Sequence, residues 1–418
     1  MNKIAHPVQS YSYSERVKRM DKLFYEDSYV KEFEAVILKR EEKDGEKTVV
    51  LDRTYFYPEG GGQPSDTGKI GSKSVIKVYE KKGEVYHVVE DFPEGERVHC
   101  VIDWDRRFDH MQQHTGQHLL SSVLLKKYGA DTESFSIGEN SSHITVTKEF
   151  FTEEEIHEVE KEVNGLIYKN LAVKSYFADE KLIFKLPLRK KPQVKENIRI
   201  VEIEGIDYSP CGGTHVKNTG EIGILKIKKW ERTNKGARLE FVCGFRALED
   251  YQKKNSLVNF LTQVLSEKEE GIAEHLQKLL EDYKEAKREV NFLKEKILKE
   301  EAENLVKKSE LYGGIHIVYS LYEGRDPEDL KMLGKFVTAE SKSVAILGNK
   351  RGDVADIVVA RSYDVDIVVN GFFKEVLRTF DGKGGGSAQF CQGGGSPSRL
   401  ELAMDKALKF VIEEINKM

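Results

Sequence analysis

Two histidines four residues apart, His114 and His118, are followed roughly a hundred residues later by a cysteine and a histidine at the same spacing, Cys211 and His215. This split pair constrains the chain more than any other feature, because two distant segments must close on one point. His114-Thr115-Gly116-Gln117-His118 lies in a helical pattern from Arg106 to Tyr128, so both imidazoles share one face. Cys211-Gly212-Gly213-Thr214-His215 sets a thiolate and a third imidazole on a glycine-rich turn that can fold around an ion without side-chain obstruction. Three imidazole nitrogens and one sulfur suit a tetrahedral zinc ion at about 2.0–2.3 Å. Thr115 stands where a helical metalloprotease motif needs its glutamate base, which argues against that class. Four protein ligands would close a structural site, whereas three with water would leave a catalytic one open, and the spacing permits both. His110, one turn earlier, reads first as a solvated helix histidine, then as a spare ligand or substrate contact.

A second pattern runs from Thr54 to Gly68, with Gly60, Gly61 and Gly62 followed by Gln63 and Asp66. Consecutive glycines let backbone amides approach a ligand, and the two polar side chains can bond hydroxyls or amines. The same residues also suit a plain tight loop between strands. Neither this loop nor a later glycine-rich stretch, Gly382 to Gly395, ends as a phosphate-binding P-loop does.

The rest of the chain supplies scaffolding. From Glu32 to Trp104, short β-branched runs separated by turn residues predict a small β-barrel. Strand patterns near 198–203, 222–227 and 238–242, with a helix starting at Thr152, predict an α+β unit. A Glu- and Lys-dense, proline-free stretch follows from about Ala247 to Lys308. In it Leu276, Leu279, Tyr283, Ala286, Val290, Leu293 and Ile297 alternate at spacings of three and four, a coiled-coil seam that breaks at Glu300. Strand-helix-strand patterning then resumes. The expected architecture is α+β and multidomain: a barrel over 1–104, a zinc-binding α+β domain over 105–246, coiled-coil helices over 247–308 and an α/β domain over 309–418.

Composition excludes other classes. With 66 basic and 71 acidic residues the net charge is −5, so a wholesale basic nucleic-acid binder is ruled out while a local basic face is not. Cys100, Cys211, Cys243 and Cys391 are too few and too irregular for a disulfide framework, which points to a reduced, cytoplasmic setting. Met1 to Arg19 lacks an apolar core of signal-peptide length, and no apolar run is long enough to span a membrane.

The loop Phe56-Tyr57-Pro58-Glu59-Gly60-Gly61-Gly62-Gln63-Pro64, the helix with His114 and His118, and Cys211-Gly212-Gly213-Thr214-His215 follow one another as in the editing region of alanyl-tRNA synthetases. The chain resembles a freestanding AlaX-type alanyl-tRNA editing protein of the long form. Residues 309–418, with Gly384-Gly385-Gly386 and Gly393-Gly394-Gly395, are similar to the DHHA1 domain that ends those synthetases. The resemblance covers nearly the whole chain but leaves the synthetase's aminoacylation region without a counterpart, so a ligase is not expected.

The resemblance implies a hydrolase, acting on the ester between serine or glycine and the 3′ adenosine of alanine tRNA. The expected nucleophile is zinc-bound water, with no side-chain base assigned. Gly60, Gly61, Gly62, Gln63 and Asp66 would contact substrate, and Thr115 or, failing that, Ser136 would read the serine hydroxyl. Expected tRNA contacts are Arg189, Lys190 and Lys191 (with Lys195 and Arg199), Lys228 and Lys229 in a second basic cluster, and the C-terminal glycines. The seam calls for a partner helix, either an earlier helix of the same chain such as Asn255 to Leu265 folding back or, as expected here, the same helix in a homodimer held by the coiled coil and C-terminal domain. Two other classes compete. One is a non-catalytic tRNA-binding protein with a structural zinc. The other, a DHH-type phosphoesterase, ranks last because no Asp-His-His tripeptide occurs.

Overall fold

The short runs between Glu32 and Ile102 close on themselves. In the computed structural model, which describes residues 21–190 and 198–418, the strands Glu32–Lys43, Glu46–Leu51, Glu84–Val89, Lys73–Lys81, Gly68–Ile70 and Arg97–Ile102 form a closed barrel in that spatial order. Alternate residues such as Val98, Cys100 and Ile102 point inward and join Ala35, Ile37, Val49, Leu51 and Val78 in one core. His87 is fully buried there, its Nδ1–H donating to the Val49 carbonyl at 3.1 Å and its Nε2 lying 2.9 Å from the Thr54 hydroxyl.

Burial lowers the His87 imidazole to about 4. An unfolded chain therefore binds a proton at His87 near pH 6.5, which the folded barrel refuses until about pH 4. Stability is full above pH 6.5 and falls as the pH drops through that window, by about 3 kcal/mol for this group. Urea titrations at pH 7 and 4.5 should show His87→Gln losing about 2–3 kcal/mol less than the parent. Equal losses in both would refute the assignment.

The protein is α+β and multidomain, with two compact units, Met1–Phe260 and Leu261–Met418. After the barrel, helix α1 (Trp104–Tyr128) begins at Asp103, whose carboxylate accepts from the Arg106 N–H, and stops at Gly129 with φ of 62°. Most of α1 is buried although its residues are largely polar, because neighbouring elements satisfy them. Gln113, for example, accepts from the Cys243 N–H at 2.9 Å and donates to its carbonyl at 3.0 Å. Against α1 lie helix α2 (Glu153–Tyr168), with a Thr152/Glu155 capping box, and an antiparallel sheet ordered Leu225–Thr233, Gly236–Cys243, Ser142–Val146, Thr132–Ile137. A smaller sheet joins Val173–Ala178, Ile198–Ile203 and Asp207–Pro210, with the one-turn helix α3 (Glu180–Ile183) after its first strand.

Charged helical sequence continues beyond this unit but is interrupted. Helix α4 (Gly244–Leu265) ends before Ser266, which has φ of 51°, and α5 (Ile272–Lys308) restarts after a short 3₁₀ turn. In the second unit, a six-stranded mixed sheet runs Glu310–Tyr312, Ile315–Glu323, Ser343–Arg351, Val354–Arg361, Phe390–Gly395, Lys383–Gly386. Its one parallel pair is bridged by α6 (Pro327–Val337), which packs with the end of α5 on one face. Helices α7 (Val369–Thr379) and α8 (Leu400–Ile415) cover the other. Ala345 and Leu347 face the first layer, Val344 and Ile346 the second, so the period of two is read on both sides.

Most of the glycine-rich stretch from Gly382 to Gly395 lies in two paired strands at one side of this sheet. A Cβ on Gly384 or Gly386 would lie 2.2 or 2.0 Å from the facing strand's carbonyl oxygens, so glycine is required for the strands to approach. No helix among the described residues is long and apolar enough to cross a membrane.

Candidate metal centre

Helix α1 brings His114 and His118 to face the turn that follows Asp207–Pro210, and the predicted quartet meets. One ligand atom from each of His114, His118, Cys211 and His215 lies within 4.8 Å of every other. Cys211 Sγ is 3.4 Å from both His114 Nε2 and His215 Nε2. A tetrahedral zinc with ligands at 2.0–2.3 Å has edges of about 3.5 Å, so the donor set fits that ion. The turn can press this close because Gly213 has no Cβ; one would sit 2.2 Å from His114 Cε1.

The far side of each ring is equally specified. His114 Nδ1–H donates to Gln63 Oε1 at 2.8 Å, His118 Nδ1–H to Asp207 Oδ2 at 2.7 Å, and His215 Nδ1–H to Thr115 Oγ1 at 3.2 Å. Each acceptor holds the proton on Nδ1 and leaves Nε2 free to bind a metal, the arrangement that orients histidine ligands.

Electrostatics follow from this crowding. Burial would push the Cys211 thiol up, but the His114 and His215 imidazoles outweigh it and hold it well below its usual range. Burial lowers His215 to about 3. For His118 burial works in the same direction, yet the Asp207 carboxylate and Cys211 sulfur prevail and raise it to about 9. Asp207, opposed by its own burial, is drawn down to about 2 by His118 and Arg189.

The remaining expected residues divide by where their bonds go. Gln63 is in the site, but its amide is spent on His114 and on Thr214, whose hydroxyl and N–H it also holds. Asp66 is fully buried against Arg107 and accepts the Tyr57 N–H at 2.6 Å, so it braces the glycine loop from behind rather than meeting substrate. Gly60 and Gln63 bond each other's backbones; Gly61 and Gly62 are exposed, and the Gly62 carbonyl accepts from the Ile137 N–H. Thr115 donates to the Met111 carbonyl and accepts from His215 and from the Val216 N–H, which commits its hydroxyl. Its geometry makes it a ring-positioning residue, not the hydroxyl reader expected from sequence. Ser136 is exposed, on the opposite strand face from Phe135, whose ring lies 4.9 Å from that of His114.

The basic residues also differ from expectation. Arg189 is nearly buried and donates to Asp207 Oδ1 at 2.7 Å, so it serves the metal centre. Lys228 pairs with Glu240 and Asp250, and Lys229 with Glu240. Lys190 is exposed, and its ammonium reaches the Thr132 carbonyl. Lys191 and Lys195 lie outside the described residues. Gly384–Gly386 and Gly393–Gly395 belong to two paired strands in the sheet of the second unit.

Sequence reasoning missed Asp207 and Arg107. The first stands four residues before Cys211, the second one turn before Met111, and neither spacing singles out a buried charge. His110 is buried rather than solvated; burial lowers its imidazole to about 3, and its Nδ1 has no hydrogen-bond partner.

A small barrel and an α+β unit thus present three buried histidines and a partly exposed cysteine, oriented from behind, as a candidate metal site. The family profile described as the second additional domain of threonyl and alanyl tRNA synthetases matches residues 198–239, and that of class II (A) tRNA synthetases matches residues 2–106. The alanyl-tRNA editing protein AlaX-L of Pyrococcus horikoshii is 33% identical over 412 residues, which cover 95% of this chain and 98% of that one. AlaX-M of Methanosarcina acetivorans is 39% identical over 237 residues, 52% of this chain and 95% of its own. An alanine–tRNA ligase of Methanobrevibacter smithii is 32% identical over 412 residues, 94% of this chain but 46% of the ligase. The chain belongs to the alanyl-tRNA editing protein family.

Proposed function

We propose that the chain is a trans-acting, zinc-dependent deacylase that hydrolyses the ester of alanine tRNA mischarged with serine or glycine. One observation carries this reading: three Nε2 atoms and a thiolate converge on one point while every Nδ1 is tied to an acceptor. A zinc ion held there supplies Lewis-acid polarisation of an ester or of water. The chain's own residues prepare for it. Gln63, Asp207 and Thr115 hold the rings, Arg189 holds Asp207, and Asp66 with Arg107 braces the glycine loop. Cys211 is partly exposed and Gly212 exposed, so this side of the centre is open to an incoming ester. Ligation is not proposed, because residues 32–102 of the span matching class II synthetases form a barrel.

We assign the four-part division, the cytoplasmic setting and the homodimer to the same reading. Leu279, Tyr283, Val290, Leu293 and Ile297 of the α5 seam are exposed in the single chain, which supports a paired helix in a coiled coil. The closeness of all four ligand atoms favours one alternative, a closed structural zinc in a tRNA-binding protein.

Side-by-side deacylation of Ser-tRNA, Gly-tRNA and Ala-tRNA by the zinc-loaded full chain decides between them. Ser-tRNA should be cleaved roughly 10²-fold faster than Ala-tRNA, the ratio expected of a site that hydrogen-bonds the serine hydroxyl and loses that bond with alanine. Equal rates would indicate a nonspecific esterase, and no hydrolysis would indicate the structural zinc.

A further inference from the structure

Beside the open edge of the metal centre, three chemically distinct groups stand in one row. Phe177 and Arg199 are direct cross-strand partners, and the Cys211 N–H donates to the Arg199 carbonyl at 3.0 Å. With strands about 4.8 Å apart, the row from Phe177 to the cysteine ligand spans about 10 Å, comparable with one nucleotide. Cross-strand partners share a sheet face, so Phe177 and Arg199 present side chains on the same side.

Arg199 is 7% exposed. Its Nη1 donates to the Cys211 and Gly213 carbonyls at 3.0 and 2.9 Å, while its Nε has no partner. Among the described residues no carboxylate pairs with it. The charge beside it is the Cys211 sulfur, which favours the guanidinium, and its unpartnered Nε leaves a hydrogen-bond donor that an anionic oxygen can satisfy. Tyr25 lies with its ring 5.5 Å from the guanidinium and 6.1 Å from the Phe177 ring, and its hydroxyl borders Gly212. Phe177 itself is 55% exposed, an aromatic ring held in water beside a cation and a metal ligand. Aromatic platforms next to basic groups are how proteins bind single-stranded ends, through stacking and phosphate contact.

We propose that Phe177 and Arg199 hold the 3′-terminal nucleotide of the acylated tRNA, its base stacked on Phe177 and its phosphate drawn to the Arg199 guanidinium. This rests on the deacylase reading above. The placement sets the ribose, and the ester it carries, against Cys211.

Because Phe177 is exposed, its replacement leaves the core intact. In the full-length, zinc-loaded protein, Phe177→Ala and Phe177→Leu should each raise KM for Ser-tRNA by about tenfold with kcat and zinc content little changed, and Phe177→Tyr should restore it. AMP should inhibit the parent more tightly than adenosine, and Arg199→Gln should remove that difference while Arg199→Lys keeps part of it. The proposal is overturned by a parental KM in Phe177→Leu, or by AMP binding no better than adenosine to a protein that hydrolyses Ser-tRNA. If the parent cleaves no Ser-tRNA, the deacylase reading fails instead, and direct titration of AMP against Phe177→Leu still decides this one.

Discussion

Cys211→Ala should lower zinc affinity by more than about 100-fold, exceeding the 10–100-fold typical of losing an outer partner, and hydrolysis should fall with it. The thiolate is the set's only anionic ligand, and among the described residues no other acidic donor joins the quartet. Asp207→Asn provides the graded comparison. It leaves four ligands in place but removes the charge that holds His118 Nδ1–H and pairs with Arg189, so affinity should drop by roughly 10–100-fold. The pH dependence has a definite sign. With His118 raised to about 9 in the metal-free protein, zinc must displace its proton at neutral pH, so affinity climbs with pH up to that value. Competition titrations with a chromophoric chelator between pH 6.5 and 9 measure all three effects. Unchanged zinc content in Cys211→Ala would remove that residue from the ligand set.

Arg107→Met should cost about 3–5 kcal/mol of stability, the penalty for breaking a buried ion pair and leaving one charge uncompensated. Both side chains of the Arg107–Asp66 pair are wholly buried. The guanidinium also donates to the Ser28 and Tyr55 carbonyls, so one side chain ties α1 to the segments before and within the glycine loop. Neutralising Asp66 as well should recover part of the loss. In urea unfolding, Arg107→Met with Asp66→Asn should fall short of the summed single losses by about 0.5–3 kcal/mol, the coupling expected of touching residues. Strict additivity would show that the pair does not act as a unit. Zinc affinity should weaken in Arg107→Met too, since Gln63 sits on the loop that Asp66 anchors.

The sequence by itself determined the elements and the ligand quartet. Short β-branched runs such as Val98 to Ile102 announced the barrel, the Thr152 cap announced α2, and matched spacings named His114, His118, Cys211 and His215, because composition and spacing are local properties. Two helices went unmarked in advance, the one-turn α3 and α7.

Only the tertiary structure decided what each polar residue is for. Asp66, Thr115, Gln63 and Arg189 carry the right chemistry to touch a substrate or tRNA, yet each spends its hydrogen bonds inside the protein. Phe177, unremarkable in sequence, is set beside Arg199 and Cys211 by strand pairing alone. A hydrogen bond or ion pair depends on which distant backbone comes within about 3 Å, and that distance is set by the packing of the whole domain rather than by neighbours along the chain.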